Sequence, residues 1–170
     1  IQVDKIYKQN PSYDILVRNL EKMTKNNNKY NLCVDNDVDF SIKDRGETYT
    51  ELKIIKLLEI LKKYQGNEII MYLDAFDTSI EASDDEIEKK FLELDIDVLY
   101  SCERTCWPNQ NFSKFFSNHN FLNSGTIIFR NKKFQKILEI LSLLHQKSNS
   151  CDQYSHTVFA TIKLSDIKRK

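Results

Sequence analysis

Residues 68–78 read EIIMYLDAFDT. The first six form a compact apolar run whose length and composition fit a buried strand. Asp74 and Asp77 stand where that run ends. Around it, helix and strand signals alternate. Upstream, Thr48-Tyr-Thr-Glu51 has the form of a capping box. It opens an expected helix over 49–64 with Leu52, Ile55, Leu58 and Leu61 on one face, stopping before Gly66. Downstream, Ser83-Asp-Asp-Glu86 opens a second helix that runs to Leu94, where the acids complement the helix N-terminus. Ile96–Ser101 (IDVLYS) is the next strand, a polar loop starts at Glu103, and Thr126–Arg130 is a further strand. Phe134, Ile137, Leu138 and Leu141 make Asn131–His145 helical, and a last helix covers Asp152–Thr161. Nearer the start, Tyr13, Leu16, Val17, Leu20 and Met23 give Pro11–Asn28 an amphipathic spacing, with a β-prone run at Tyr30–Val34. This alternation predicts an α/β fold with a mostly parallel central sheet flanked by helices, in one domain over residues 1–170. Ligands in such sheets bind at the C-terminal strand ends, here after Leu73, after Ser101 and around Gly125.

The composition narrows the chemistry. The 170 residues hold 25 basic and 25 acidic side chains, a formal net charge of zero. That balance argues against binding to nucleic acid or an anionic membrane, which needs a basic surface. No apolar run approaches the roughly 20 residues of a membrane span. The three glycines, Gly46, Gly66 and Gly125, build neither a dinucleotide fingerprint nor a phosphate loop. The four cysteines form no CxxC pair and no HExxH is present, which argues against structural zinc. Their scattered spacing reads as free thiols, and the C-x3-C spacing of Cys102 and Cys106 leaves a disulfide open.

Three polar features lie at the expected strand ends. Asp74 and Asp77, at i and i+3 on a turn, can converge on one hard divalent cation, Mg2+ or Mn2+. The same acids can simply close a strand. In FLNSGTIIF (Phe121–Phe129), Asn123 and Ser124 offer short donors and Gly125 permits close approach of a ligand, although an Asn-Ser-Gly set is also an ordinary turn. Asp152-Gln153 opens the last helix, where Asp152 serves either a ligand or the helix as N-cap. A dehalogenase-type phosphatase motif needs its second acid two residues after the first. Here it stands three residues later, which leaves that reading a remote alternative.

The order of these features resembles GT-A-fold nucleotide-sugar glycosyltransferases, and most closely the glycosyltransferase domain of procollagen lysyl hydroxylases. Asp74-Ala-Phe-Asp77 is similar to the family's Asp-x-Tyr-Asp metal motif, and Ser101–Pro108 (SCERTCWP) to its SAE…CWP segment. FLNSG is similar to its FLNSGG strand, and Cys151-Asp-Gln-Tyr154 to the end of its DDDQ run. The resemblance covers roughly residues 45–160. It implies a GT-A-like, Rossmann-type sandwich, with Asp74 and Asp77 binding Mn2+ (or Mg2+) and, through it, a UDP-sugar donor. It further implies that Phe76 packs on the nucleotide, that Lys53 lies near it, and that Asn123 and Ser124 line the sugar pocket, with Gly125 in the donor-binding set. It also implies that Asn123 and Asp152 are the catalytic residues. Asp152 would face the transferred sugar, and Trp107 the acceptor, a collagen-like or hydroxylysine-bearing protein. A secretory-pathway setting would follow.

The chain also departs from the family. Its consecutive acids are reduced to Ser150-Cys151-Asp152, and an aromatic residue three positions past the matched lysine is Lys56. The family's third metal ligand, a His in an HGN-like segment, has no match in residues 1–170. His145 and His156, inside expected helices, read as surface or packing residues. Two expectations follow: a metal-dependent glycosyltransferase core without its C-terminal completion, or a reduced, non-catalytic module of the same fold.

Overall fold

The computed structural model describes residues 14, 15, 17, 18, 21, 45–74, 78–116, 120–148 and 151–168. The expected strand at Tyr30–Val34, Cys33, Phe76 and Asp77 lie outside them, and of the expected N-terminal helix only Asp14, Ile15, Val17, Arg18 and Glu21 are described, all helical. The element order is α1 (Arg45–Leu61), β1 (Ile69–Leu73), α2 (Asp84–Glu93), β2 (Val98–Glu103), a 3-10 helix (Gln110–Phe115), β3 (Phe121–Arg130), α3 (Asn131–Ser148) and α4 (Asp152–Lys168).

The sheet differs from expectation. Its three described strands lie in the order β1-β3-β2, and β3 is antiparallel to both neighbours. β1 and β2 are parallel to each other, as the intervening α2 crossover requires, but they do not touch because β3 fills the space between them. The mostly parallel Rossmann-type sheet is therefore corrected, for the described residues, to an antiparallel one. The reason lies in the connection over 104–120. An antiparallel neighbour starts at the edge where β2 ends, so it needs only a loop and no crossover helix.

Helix α2 begins as its sequence predicts, with the Ser83 side chain accepting from the Glu86 N–H at 3.3 Å. Helix α1 does not. It starts at Arg45, so Thr48 lies inside the helix and its capping-box pattern marks no terminus. Its inward face centres on Ile54 and Leu61, both almost fully buried, with Leu57 and Leu58 packed beside them.

The core lies where α1 and α3 cover the sheet. Ile54, Leu61, Ile127, Phe129, Phe134, Leu138 and Leu141 form one buried cluster, with the Phe129 and Phe134 rings stacked 4.0 Å apart. Alternation along β3 sends Ile127 and Phe129 inward, and the i, i+4, i+7 spacing of Phe134, Leu138 and Leu141 gives α3 its apolar stripe. At the β3–α3 junction the buried Asn131 locks three segments together. Its N–H donates to the Glu68 carbonyl at 2.9 Å, its Nδ2 donates to the Tyr64 carbonyl at 3.1 Å, and its Oδ1 accepts from Gln135 Nε2 at 2.9 Å. Cys102, Cys106 and Cys151 are free thiols, so no Cys102–Cys106 disulfide forms. Among the described residues no helix is long and apolar enough to cross a membrane.

Phe134 makes the central contact of this core. Phe134→Ala is expected to lower the unfolding free energy by about 3–5 kcal/mol, read as a shift of the urea midpoint.

Candidate functional site

The site forms at the edge where β1 and β2 end and β3 begins. Between β2 and β3 the register jumps. Tyr100 pairs with Ile127, but the next residue, Ser101, pairs with Asn123. Ser124, Gly125 and Thr126 thus have no opposite number on β2. A bulge of this kind bends a strand and re-aims its side chains, and here it is built from the Asn-Ser-Gly sequence. The set lies within β3, not before it as a turn.

The polar groups freed by the bulge are satisfied from elsewhere. Gly125 N–H donates to Asn123 Oδ1 at 2.8 Å, and that oxygen also accepts from Ser101 Oγ at 3.2 Å. Asn123 therefore turns its oxygen inward and leaves its Nδ2 protons without a partner among the described residues. Ser124 Oγ donates to Asp152 Oδ2 at 3.0 Å, and the Ser124 N–H donates to Gln153 Oε1 at 3.4 Å. The start of α4 thus takes the place of β2 as the partner of the bulge. Asp152 is the first residue of α4, so the N-cap alternative does not hold. The Cys151 carbonyl accepts the first helical bonds instead, from Tyr154 at 3.1 Å and Ser155 at 3.4 Å.

On its other side, β3 meets the end of β1. The Asp74 N–H donates to the Gly125 carbonyl at 2.7 Å, extending the ladder one step past Leu73–Thr126. The Asp74 carboxylate accepts from Lys53 Nζ at 2.9 and 3.1 Å and from the Tyr72 hydroxyl at 3.0 Å. Tyr72 and Asp74 share a face of the strand because side chains alternate with period two. Lys53 Nζ also lies 4.0 Å from Asp152 Oδ2, so one ammonium stands between two carboxylates. A Cβ on Gly125 would lie 3.2 Å from Asp74 Oδ2 and 3.0 Å from Asn123 Oδ1, which explains the absence of a side chain there.

Behind Asp152, one helical turn along α4, His156 Nδ1 shares a 2.9 Å hydrogen bond with the Tyr100 hydroxyl. Burial, and after it the positive charge of Lys53, pushes the His156 pKa down to about 3, so the imidazole is neutral at physiological pH. Burial pushes the Tyr100 hydroxyl in the opposite direction, upward. His156 is a packing residue as expected. His145 is likewise buried.

Of the residues singled out in the sequence, Lys53, Asp74, Asn123, Ser124, Gly125 and Asp152 thus converge. Trp107 joins through its backbone only. Its carbonyl accepts from Gln153 Nε2 at 3.1 Å while its side chain is half exposed. Lys56 stays on the surface beside Glu59. Asp77 and Phe76 are not described, and among the described residues no three His, Cys, Asp or Glu side chains form a metal-binding group. Tyr72, Ser101 and Glu103 were not anticipated as site residues. Tyr72 was within reach of the period-two rule.

This arrangement presents hard carboxylate oxygens, one ammonium and short polar side chains at one strand-end edge. It is equipped for a cation, a phosphate or a sugar hydroxyl. A family model described as "PLOD GT domain" matches residues 12–162. Among curated relatives, the rat multifunctional procollagen lysine hydroxylase and glycosyltransferase LH3 is 33% identical over 82 residues, 45% of this chain and 11% of that protein. A Drosophila melanogaster procollagen-lysine,2-oxoglutarate 5-dioxygenase is 32% identical over 83 residues, 45% of this chain and 12% of its own. A Caenorhabditis elegans multifunctional procollagen lysine hydroxylase and glycosyltransferase is 30% identical over 99 residues, 54% of this chain and 14% of that protein. The matched stretches therefore span a small part of each relative.

Two outcomes are expected from this geometry. Gly125→Val, which crowds both Asp74 and Asn123, should cost about 1–3 kcal/mol of stability, seen as a lower thermal midpoint. His156 binds its proton less readily in the folded chain than at its ordinary value near 6.5. Between those two values the unfolded chain binds more protons, so stability falls as pH drops from about 6.5 through about 3. A His156→Gln variant should show a shallower loss over that window in urea titrations at stepped pH.

Proposed function

The chain belongs to the PLOD glycosyltransferase-domain family, a family of collagen-modifying enzymes, and on that premise we propose that it transfers a hexose from a UDP-sugar to a collagen-like, hydroxylysine-bearing acceptor with the help of Mn2+ or Mg2+. The observation that carries the reading is the convergence of Lys53, Asp74, Ser124 and Asp152 at one strand-end edge. It supports a donor site with a charged end and a hydrogen-bonding end.

The Asp74 carboxylate is partly exposed and offers the hard oxygens that such a cation takes, so it fits as one ligand. Asp77 would be the second. When bound, the cation supplies Lewis-acid charge for the departing diphosphate. Lys53 adds a second positive charge beside the same carboxylate and can reach a phosphate oxygen. Asn123, through its Nδ2 protons, and Ser124 orient the sugar. Asp152 is largely buried and is held by Ser124, so its negative charge is fixed before positive charge develops on the sugar ring. Phe76 packs on the nucleotide, and the half-exposed Trp107 offers an indole face to the acceptor. The family match replaces the phosphatase alternative.

Cys151, standing where the family carries an acid beside Asp152, favours a second reading: a non-catalytic module that binds nucleotide sugar. Binding of UDP–Mn2+ with neither transfer nor donor hydrolysis would select it.

Calorimetric titration of UDP with and without Mn2+ tests the donor site. Wild-type binding should require the metal, and Asp74→Ala and Asp77→Ala should each weaken it at least tenfold, about 1.4 kcal/mol. Full metal-dependent affinity in Asp74→Ala would sink the reading.

A further inference from the structure

Gln153 touches both halves of the site. It is 6% exposed, and both ends of its carboxamide are used. Oε1 accepts from the Ser124 N–H at 3.4 Å, within the bulge that faces the donor edge. Nε2 donates to the Trp107 carbonyl at 3.1 Å and to Glu103 Oε1, at the end of β2. The partners fix the orientation of the amide. A backbone N–H needs an acceptor, whereas a carbonyl and a carboxylate need donors. A flipped amide would leave all three unmatched, and buried unmatched polar groups are costly.

The residues on either side are held differently. The bulge is clamped by Asp74, Asp152 and Ser101. The 104–109 segment has the Trp107 N–H to Thr105 carbonyl turn and the Cys106 thiol on the Asn109 carbonyl, both internal to itself. Just beyond it, the Phe112–Tyr154 ring contact ties the 3-10 helix to α4. Among the described residues Gln153 is a polar tie from that segment to the bulge. A ligand that moves Ser124 therefore acts on the bond to Gln153, and through Gln153 on the bond to the Trp107 carbonyl.

We propose that Gln153 is a positioning residue that transmits occupancy of the donor pocket at the Ser124 bulge to the Trp107 segment. Donor binding then sets the surface offered to the acceptor. This rests on the donor-site reading above and adds to it the residue through which the two halves of the site are coupled.

Trp107 is the only tryptophan of the chain, so its emission reports its segment alone. UDP is titrated into the full chain with Mg2+, which avoids paramagnetic quenching, while binding is followed in parallel by calorimetry. In the wild type, Trp107 emission should change along the binding isotherm. Gln153→Leu should still bind UDP within about threefold yet lose more than half of the emission change. Gln153→Glu is isosteric and serves where the leucine variant does not fold. It keeps the acceptor for Ser124 but cannot donate to Trp107 or Glu103, so it should lose the change as well. UDP binding to the wild type with unaltered Trp107 emission, or an undiminished change in either variant, would overturn the proposal and leave the donor site standing. Absence of UDP binding to the wild type would overturn both, and calorimetry alone would show it.

Discussion

β3 must pair with two strands at once while holding three more residues than β2 can match. Everything at the site follows from that mismatch. Towards β1 the ladder runs on without interruption to Asp74, so the surplus is pushed towards β2 and opens there at Ser124–Thr126. An opened ladder leaves backbone donors that cannot stay bare when buried. They are taken up by Asn123 within the strand and by Gln153 at the start of α4. The helix is thereby anchored with its first acid against the bulge, and the polar edge and the packing of α4 share one cause.

Charge is managed within the same small volume. Asp74 and Asp152 come from different elements and approach each other across Lys53. Without that ammonium two carboxylates would face one another at a half-buried edge. With it, the pair is held, and Tyr72 adds a neutral donor to Asp74. The cost of placing a positive charge there is felt further along α4, where His156 is kept neutral by burial and by Lys53 together.

Much of this was legible in the sequence, and what was not has physical reasons. The β1 strand, the Ser83 cap and the α3 stripe were readable because each is set by local spacing. That Asp74, Ser124 and Asp152 gather at one edge was readable because each stands next to the end or start of an expected element. Sheet sense itself was misread, since helix–strand alternation describes β1-α2-β2 correctly and says nothing of a later strand inserted between them. The polar stretch from Glu103, with no amphipathic helix pattern before Thr126, was the clue. Asn, Ser and Gly are poor strand formers, so their place inside β3 shows only once α4 is seen to satisfy them. Helix α4 buries Ser155, His156, Thr157 and Thr161. Such a helix has no apolar stripe to announce which face turns inward.

The central position of β3 also has a bearing on how the chain is made. Among the described residues β1 and β2 have no strand partner but β3, which leaves the ribosome after both. Leu73 waits for Thr126, and Val98 for Phe129. Until then the strands IIMYL and VLYSCE lack their one partner among the described residues, and strands with open edges tend to associate with one another. Between them lies α2, with Asp84, Asp85, Glu86, Glu88, Lys89, Lys90 and Glu93. Its charge is of the kind that separates sticky segments in solution, and the chain places it between the two strands that wait for β3.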